Sequence, residues 1–484
     1  MRRAAVLLAC ATLFVPFALF LGGCANSALV RYEKIAKRAA SQDYLEAAKS
    51  VRANRESLYG SHSRLLYEMD LGLLYHYAGR YDSSIVFLAR AADTYESLYT
   101  RSVTNEAASL LVNDNVRPYR GRPYEVMWLR VFQAFNYLAL GDLDGARVEM
   151  RQAQLLVDEY RRKAGNDKDG YRDDPLYRGI AALVYEALGE RDDAAISAYF
   201  AVKAHRDAKE PVPPRMAATA CRLLRAADRP DDIRLLELEC PDTVSASPGA
   251  DSGTVVVVGE IGRSPAVGET MFWGSWIRDG VIVYQYRDAN GKTVTDALAV
   301  PDLSSTGSGS TRSGRSTRSG TTFSIKWAMP SLRKVSSRSQ ALSVADAAGS
   351  GATRGEPWGE AGDELKRDLE RNRTTVLIRT VTRVALRTLA AEKAKAELRT
   401  DNPFLNLLTN LGTDFLSGQL EQADARSWFL LPGTVQVARI TAPAGKRTLQ
   451  VGAVDASGQT VRSEVREVDV QPGKTTFVFF NSLK

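Results

Sequence analysis

Repeated helical hairpins constrain the fold of this chain more than any other feature of its sequence. The clearest copy lies in residues 113–153, where small and medium-sized residues recur at fixed spacing around a Gly-Asp turn: Ala134, Tyr137, Gly141, Leu143, Ala146, Met150 and Ala153. This spacing predicts two antiparallel helices that touch where the side chains are small. A single hairpin of this kind cannot bury its apolar face, so we expect neighbouring copies in the same chain.

Three further copies align on the turn. One has Gly72 and Tyr75 before a Gly79-Arg80-Tyr81 turn and Ser84, Leu88 and Ala91 after it. Another has Ala182 and Tyr185 before Gly189-Glu190-Arg191 and Ala194, Ala198 and Ala201 after it, and a weaker copy has Asp43-Tyr44, Ala47 and Val51. Residues 24–240 are therefore predicted to form an α-helical solenoid, and the spacing is similar to that of the tetratricopeptide repeat (TPR).

The N-terminus has the features of an export signal. Arg2 and Arg3 precede an apolar run that ends in Leu21-Gly22-Gly23-Cys24. A short basic start, an apolar core and small residues predict a signal peptide over residues 1–23 rather than a structural helix. The alternative is an uncleaved membrane anchor, because residues 4–23 are nearly long enough to span a bilayer.

The end of this segment resembles the lipobox of bacterial lipoproteins. The resemblance implies cleavage after residue 23 and a lipid on Cys24, which becomes the new N-terminus. Ala25 rather than Asp follows the cysteine, and in enteric bacteria this pattern goes with sorting to the outer membrane. We therefore expect a lipid-anchored protein of the cell envelope, in the outer membrane and facing the periplasm.

Two cysteines remain once the signal is removed and Cys24 is acylated. Cys221 lies in a predicted helix and Cys240 directly precedes Pro241. In an oxidising periplasm the two thiols can form a disulfide. The alternative is two separate buried thiols, and the sequence leaves both readings open; no metal-ligand spacing is present.

The sequence changes character after residue 240. Ser, Pro, Gly and Asp dominate residues 241–253, which predicts a linker, and the following region, 254–364, is predicted to be β-rich. Its expected strands are 254–261, 281–286, 293–300, 322–329 and 335–345, with a hairpin turn at Asn290-Gly291 between the second and the third. Residues 304–322 are almost all Ser, Thr, Gly and Arg and are predicted to be a disordered loop.

A helical hairpin and a small β-sandwich complete the predicted chain. The hairpin occupies residues 365–425, with one helix at 365–398 and a shorter one at 403–420. Arg379, Arg383 and Arg387 recur in the long helix at intervals of four, which excludes a membrane span and requires acidic neighbours or solvent.

Residues 426–484 contain four alternating strands and resemble an immunoglobulin-like or transthyretin-like sandwich. We expect these strands to pair with the earlier ones and leave the helical hairpin as an insertion. The predicted fold class is α+β and multidomain.

An insert in the repeats carries the candidate partner-binding residues. Residues 102–125 break the regular spacing, and their prolines bias the preceding residues away from helical geometry. Five side chains project from this stiff segment: Arg117, Tyr119, Arg120, Arg122 and Tyr124. Arginine and tyrosine together suit recognition of a carboxylate or phosphate, because a guanidinium binds bidentately and stacks on rings. The alternative is that the arginines tie the insert to acidic faces of its own solenoid, a role we expect for Arg117 in particular.

Four features together resemble one family. The lipobox, the helical repeats, the NDNVRPYRGRPYE insert (residues 113–125) and an ADARSWFLLPG motif (residues 423–433) are similar to an uncharacterised family of bacterial TPR lipoproteins. The resemblance covers most of the chain apart from the Ser/Gly-rich middle. It implies a location in the cell envelope and no known enzymatic activity.

The sequence contains no motif that indicates an enzyme. Its three histidines, His62, His76 and His205, lack second ligands at metal spacing and are predicted to be packing or surface residues, and neither G-x-S-x-G nor H-E-x-x-H occurs. The formal charge of +7, about +5 without Arg2 and Arg3, is ordinary for solubility. We therefore expect a non-enzymatic scaffold that binds protein partners of the envelope through its repeats and the membrane through its lipid, with no cofactor, metal or nucleic acid.

Two other functions stay open. One is an accessory factor of cell-wall (peptidoglycan) synthesis, which contacts glycan or its synthase through the β-rich part. The other is a hydrolase with carboxylate chemistry in a cleft between the halves. Two carboxylates facing each other in a pocket would favour the hydrolase, whereas an open groove lined by Tyr and Arg would favour the scaffold.

Overall fold

The protein combines helices in its N-terminal half with three β-sheets in its C-terminal part, which confirms the α+β class. A computed structural model describes residues 24–100, 117–165, 173–241, 251–277, 281–288, 291–299, 323–346, 351–397 and 423–484. The helices are α1 Cys24–Ala40, α2 Tyr44–Ala53, α3 Arg64–Tyr77, α4 Tyr81–Thr100, α5 Pro123–Ala139, α6 Leu143–Ala164, α7 Pro175–Leu188, α8 Arg191–Asp207, α9 Pro214–Ala226, α10 Pro230–Leu235 and α11 Ala361–Glu397, with a π-helical turn at Arg55–Tyr59. The strands are β1 Ser252–Arg263, β2 Ala266–Ile277, β3 Val281–Arg287, β4 Thr293–Ala299, β5 Phe323–Arg333, β6 Ala341–Asp346, β7 Thr353–Arg354, β8 Glu356–Glu360, β9 Pro432–Pro443, β10 Gly445–Val454, β11 Thr460–Val470 and β12 Thr475–Ser482. Within the described ranges, no helix is both long and apolar enough to cross a membrane.

Consecutive helices of the N-terminal half pack as hairpins, with α3 on α4, α5 on α6 and α7 on α8. Small residues of the repeat pattern are at most 1% exposed: Ala47, Ser84, Ala91, Ala134, Ala146, Ala153, Ala182, Ala194 and Ala201. Gly72 shows how close the helices come, because a Cβ atom there would lie 2.5 Å from the Leu88 side chain. The small residues therefore mark close helix contacts.

The predicted glycine turns end their helices in one common way. Gly79, Gly141 and Gly189 have φ values of 68, 79 and 78°, a left-handed conformation that glycine adopts without steric cost. The next N–H then donates to the carbonyl five residues earlier, in the pairs Arg80–Tyr75, Asp142–Tyr137 and Glu190–Tyr185, at 2.8–2.9 Å. Each hairpin therefore turns with the same geometry.

Cys221 of α9 and Cys240 form a disulfide, with Cα atoms 5.6 Å apart. Of the two readings that the sequence leaves open, the structure has the paired one. Arg225 strengthens the same connection by donating hydrogen bonds to the carbonyl oxygens of Cys240 (2.6 Å) and Pro241 (2.8 Å). The disulfide and these hydrogen bonds thus tie α9 to the segment that follows α10, before the chain enters the sheets.

Two of the sheets pack face to face. The central sheet has the order β12-β1-β9-β8, and the outer sheet has the order β11-β10-β6-β7. β1 pairs in parallel with β12 and antiparallel with β9, and β10 pairs with β6. The expected pairing of the C-terminal strands with earlier ones is confirmed, so residues 426–484 do not form a sandwich by themselves.

The central sheet is buried on both faces. Val255 and Val257 of β1 pack against the outer sheet, whereas Val256 and Val258 pack among the helices. This explains why β1 has an uninterrupted valine run instead of alternating polar and apolar residues. The helical half and the paired sheets therefore meet at β1.

A buried polar network crosses this junction. His76 of α3 has Nε2 2.6 Å from Oε1 of Glu260 in β1, and its Nδ1 lies 2.7 Å from Oδ1 of Asn136 in α5. Burial lowers the pKa of His76, but the Glu260 carboxylate and the hydrogen bonds to Glu260 and Asn136 outweigh it and leave the pKa raised. His76 is therefore a packing residue, one of the two roles predicted for it, and it is hydrogen-bonded to a buried carboxylate.

The third sheet, the side sheet, has the order β4-β3-β2-β5. Helix α11 packs on one of its faces, in a cluster made of Phe272, Ile282, Tyr284, Trp327, Met329, Leu377, Val381 and Val384. Strand β2 was not predicted, because its sequence AVGETMFWGSWI mixes glycine, polar and aromatic residues without regular alternation. It nevertheless pairs with β5 along its length.

Two predicted elements begin four or more residues away from their expected starts. The long helix begins at Ala361 rather than at residue 365. The strand expected at 335–345 begins only at Ala341, because the preceding residues bond to the end of the chain, where the Ser339 N–H donates to the Lys484 carbonyl at 2.8 Å. The predicted signal peptide 1–23, loop 304–322 and helix 403–420 lie outside the described residues, as does most of the linker.

Candidate functional site

The described part of the insert, residues 117–125, is held rigidly against the start of α3. Pro118 and Pro123 restrict the backbone on either side of Gly121, which has a φ of 71°. The Tyr119 N–H donates to the His62 carbonyl at 2.6 Å, and the Tyr119 side chain is 6% exposed. The backbone of residues 117–125 is therefore fixed by local and long-range contacts.

The carboxylate of Glu125 joins this insert to the ADARSW segment (residues 423–428). Its Oε2 accepts from the Arg122 N–H at 2.9 Å and from the Tyr119 hydroxyl, and its Oε1 accepts from the Trp428 N–H at 2.7 Å. Burial raises the pKa of Glu125, although Arg122 and these hydrogen bonds act in the opposite direction. The insert and the ADARSW segment thus meet at one buried acid.

Arg426 makes a second connection between the two motifs. Its guanidinium pairs with Asp424 at 2.7 Å, donates to the Arg117 carbonyl at 2.9 Å and to Ser63 Oγ at 3.3 Å. It also lies 5.3 Å from the centre of the Tyr119 ring. A guanidinium that spans several acceptors and one ring fixes their relative positions.

Arg122 connects the insert to helix α11. Its Nη1 pairs with Oδ2 of Asp368, whose Oδ1 accepts from Asn372 Nδ2 at 3.0 Å. The two paired side chains are only 16% and 8% exposed. Arg122 therefore has the bracing role that we expected of Arg117 in particular, and its acidic partner comes from α11 rather than from the solenoid.

A cleft of about 820 Å³ lies between these elements. Its walls are the insert, strands β2 and β5 with the end of β3, one side of α11 and the ADARSW segment. Nine basic and four acidic side chains line it, together with Tyr119 and Tyr286. The cleft is therefore basic, and its guanidinium groups suit carboxylate or phosphate ligands.

The structure separates the five predicted partner-binding residues. Arg117, Tyr119, Arg120 and Arg122 line the cleft, whereas Tyr124 is buried and lines a smaller pocket. Tyr119 and Arg122 face inward and are engaged in the contacts described above. Of the five side chains, Arg120 is the exposed one, and it lines the cleft.

The smaller pocket has a cavity of about 50 Å³ and contains acidic residues. Arg367 of α11 bonds there to both Glu210 and Glu364. Burial, with the negative charge of Asp174 beside it, raises the pKa of Glu364 to about 7. Burial also raises the pKa of Asp174 to about 6, although hydrogen bonds from the Tyr177 N–H and the Trp128 indole lower it. The carboxylates here are engaged by arginine, backbone and indole groups in a space that holds little more than a water molecule or two.

The remaining histidines do not extend either site into a metal centre. His62 is exposed, and burial followed by the positive charge of Arg367 lowers the pKa of His205 to about 4. Among the residues that the structure describes, no group of three or more His, Cys, Asp or Glu side chains is arranged to hold a metal ion.

Sequence reasoning missed the half of the cleft formed by α11 and the side sheet. Lys366, Arg373 and Arg287 line it with Tyr286, yet they lie more than 160 residues along the chain from the insert. The arginines at intervals of four in α11 were the available signal, because Arg379 and Arg383 also line the cleft. No sequence pattern indicated that these α11 residues would lie near the insert.

Comparison of the chain with protein-family models gives no match. Comparison with curated proteins gives no match either.

Proposed function

We propose that this protein is a non-enzymatic, lipid-anchored scaffold of the cell envelope that holds a protein partner. The observation that carries the proposal is the open cleft, walled by arginine and tyrosine and built jointly by the insert, α11 and the ADARSW segment. Its volume lies within the range of natural ligand sites. Basic side chains outnumber acidic ones nine to four in its walls, and guanidinium groups bind anions well.

In this proposal the helical half is a TPR-like solenoid and the paired sheets are an immunoglobulin-like or transthyretin-like sandwich. The repeated left-handed helix ends and the small residues at the helix contacts support the solenoid. Two four-stranded sheets with one shared apolar core support the sandwich. The insert and α11 then place the cleft beside the junction of the two parts.

A binding role is favoured over the hydrolase because the acidic pocket is small and internally paired. Glu364 already bonds to Arg367, and Asp174 accepts from Tyr177 N–H and Trp128 Nε1 at 2.8 and 3.0 Å. A cavity of about 50 Å³ does not admit a sugar or peptide between them. The partner is expected in the larger cleft.

Site-specific crosslinking in cells tests the proposed function. A photoreactive amino acid placed at Arg120, at the rim of the cleft, should crosslink to an envelope protein on illumination. The matched control is the same amino acid at Lys446, which is exposed on β10 of the outer sheet. Products found at position 120 and not at 446 support the scaffold. No protein product at 120, or the same products at both positions, would overturn it.

A further inference from the structure

Helix α11 forms one long wall of the cleft. The residues of α11 that line it recur at helical spacing along one face: Lys366, Leu369, Arg373, Val376, Thr380 and Arg383. At a rise of 1.5 Å per residue this stripe is about 25 Å long. An extended chain advances about 3.3 Å per residue, so the stripe matches roughly seven or eight residues of extended peptide.

Three cations that line the cleft form no ion pair within the described ranges, although the negative charge of Asp296 acts on Arg373. Arg287, Lys366 and Arg373 are exposed, and none of them forms an ion pair with a described carboxylate. They differ in this from Arg122 and Arg426, which are paired with Asp368 and Asp424. Their charges are therefore available to a ligand.

Arg373 is held in place before any ligand arrives. Its Nη2 donates to the Tyr286 hydroxyl at 3.1 Å, and its guanidinium lies 5.5 Å from the centre of the same ring. Stacking on a ring restrains a guanidinium while leaving its remaining N–H groups directed outward. A positioned fork of this kind suits a carboxylate, which it binds through two parallel hydrogen bonds.

Apolar side chains lie between the cations. Leu332 of β5 and Leu369 and Val376 of α11 line the cleft and are only partly buried. A phosphate-rich or purely polyanionic chain would leave this surface in contact with water. A peptide with apolar residues among its acidic ones covers it and gains from the burial.

We propose that the cleft binds an extended peptide segment of seven or eight residues in which carboxylates alternate with apolar side chains. This inference rests on the proposed scaffold function and specifies its partner. The carboxylates would meet Arg287, Lys366 and Arg373, and the apolar side chains would lie against Leu332, Leu369 and Val376. Such a segment fits both the length and the charge of the site.

A peptide-binding measurement on the purified full-length chain in detergent tests the inference. The probe is a fluorescent ten-residue peptide that alternates Glu and Leu, compared with the same peptide carrying Gln in place of Glu and with inorganic polyphosphate. We expect saturable binding of the Glu peptide, detected by fluorescence anisotropy, and at least tenfold weaker binding of the Gln peptide. Equal binding of the two peptides, no binding of either, or tighter binding of polyphosphate would overturn the inference.

Charge-reversal variants locate the binding. K366E/R373E should weaken the Glu peptide about tenfold or more, because two favourable charge contacts become repulsive. The control K446E/K474E changes the net charge of the protein by the same amount at exposed sites outside the cleft. Its affinity for the Glu peptide should stay within about twofold of that of the unmodified protein at the same salt concentration. R287E is a second, single test if the double variant fails to fold. Unchanged binding in folded cleft variants would overturn the inference.

The outcome is separable from that of the crosslinking experiment. Protein crosslinks at position 120 without binding of the acidic peptide would leave the scaffold standing and remove the acidic segment as its partner chemistry. If neither protein crosslinks at position 120 nor binding of the acidic peptide is found, both the scaffold and the peptide-binding proposals are overturned.

Discussion

At the scale of single residues, the carboxylate of Glu125 accepts hydrogen bonds from three groups: the Tyr119 hydroxyl, the Arg122 N–H and the Trp428 N–H. Glu125 is fully buried, so loss of its carboxylate leaves these donors without an acceptor in a place that water does not reach. An unsatisfied buried polar group typically costs more than a made hydrogen bond contributes.

Replacing Glu125 with Ala should lower the free energy of unfolding by about 2–4 kcal/mol and loosen the insert. Urea unfolding measures the first effect, and protease cleavage within residues 117–122, just before α5, reports the second. The matched control is Glu370→Ala on the exposed side of α11, which should change neither. A Glu125→Ala protein with unchanged stability and unchanged cleavage would show that the carboxylate does not hold the two motifs together.

The acidic pocket predicts a pH dependence whose sign follows from Glu364. Burial and the neighbouring Asp174 raise the pKa of Glu364 to about 7 in the folded protein, against an ordinary 4.5. The stabilising contribution of the protonated group is therefore complete below about pH 4.5 and is lost as the pH rises through about 7. The unmodified protein should therefore lose free energy of unfolding between pH 5.5 and pH 8. In Glu364→Gln, whose side chain stays neutral, this loss should be smaller by roughly 1–2 kcal/mol. Parallel pH profiles of the two proteins in urea unfolding would contradict this.

At the scale of elements, the helical hairpins are the part of the fold that the sequence predicts best. Their signal is local: small residues at Ala134, Ala146 and Ala153 recur within one unit and again in its neighbours. Each unit repeats the same contact, so four weak patterns support each other. Strand β2 lacks such a local signal. It forms a strand because it pairs with β3 and β5, and its own sequence does not reveal this pairing.

The candidate site was predictable only in part, because local patterns are visible in the sequence and long-range contacts are not. The insert is visible as a break in a regular pattern, and four of its five candidate residues do line the cleft. The contacts that form the cleft join residues far apart in the chain: Glu125 and Trp428 are separated by 303 residues, and Arg122 and Asp368 by 246. Such pairings depend on how whole elements pack, which neither spacing nor composition reports.

A test of the helix contacts uses Ala146, which is 0% exposed. Ala146→Leu inserts a larger side chain where α6 packs in the repeats and should lower the free energy of unfolding by about 1–3 kcal/mol. Val148→Leu on the same helix is the control, since Val148 is 51% exposed and should stay close to the unmodified protein. Thermal melting of both variants measures the difference. Equal melting temperatures would mean that the register assigned to this repeat is wrong.

At the scale of the whole molecule, attachment to the membrane is expected to depend on Cys24. The apolar run ending at Leu21-Gly22-Gly23-Cys24 predicts both signal cleavage and acylation at this residue. Cys24→Ala should therefore give a longer precursor that takes up no fatty-acid label in metabolic labelling, whereas Cys10→Ala should be processed and labelled normally. Undiminished label on the Cys24→Ala protein would place the lipid elsewhere or remove it from the proposal.

At the scale of the whole molecule, we propose different roles for two arginines of one short segment, Arg120 and Arg122. Arg122 is paired with Asp368 in a partly enclosed setting, so its loss leaves an acid uncompensated. Arg120 is exposed at the rim of the cleft, and contacts of exposed arginines contribute little to folding. Substitution of Arg122 should therefore lower the stability of the protein, whereas substitution of Arg120 should weaken partner binding.

Parallel melting and partner capture of Arg120→Gln and Arg122→Gln distinguish these roles most directly. We predict that Arg120→Gln keeps its stability within about 0.5 kcal/mol and loses capture of the envelope protein that crosslinks at position 120. Arg122→Gln should lose about 3 kcal/mol of stability, part of which returns when Asp368→Asn is added. If Arg120→Gln captures that protein normally while folded, the cleft beside the insert is not where this protein holds its partner.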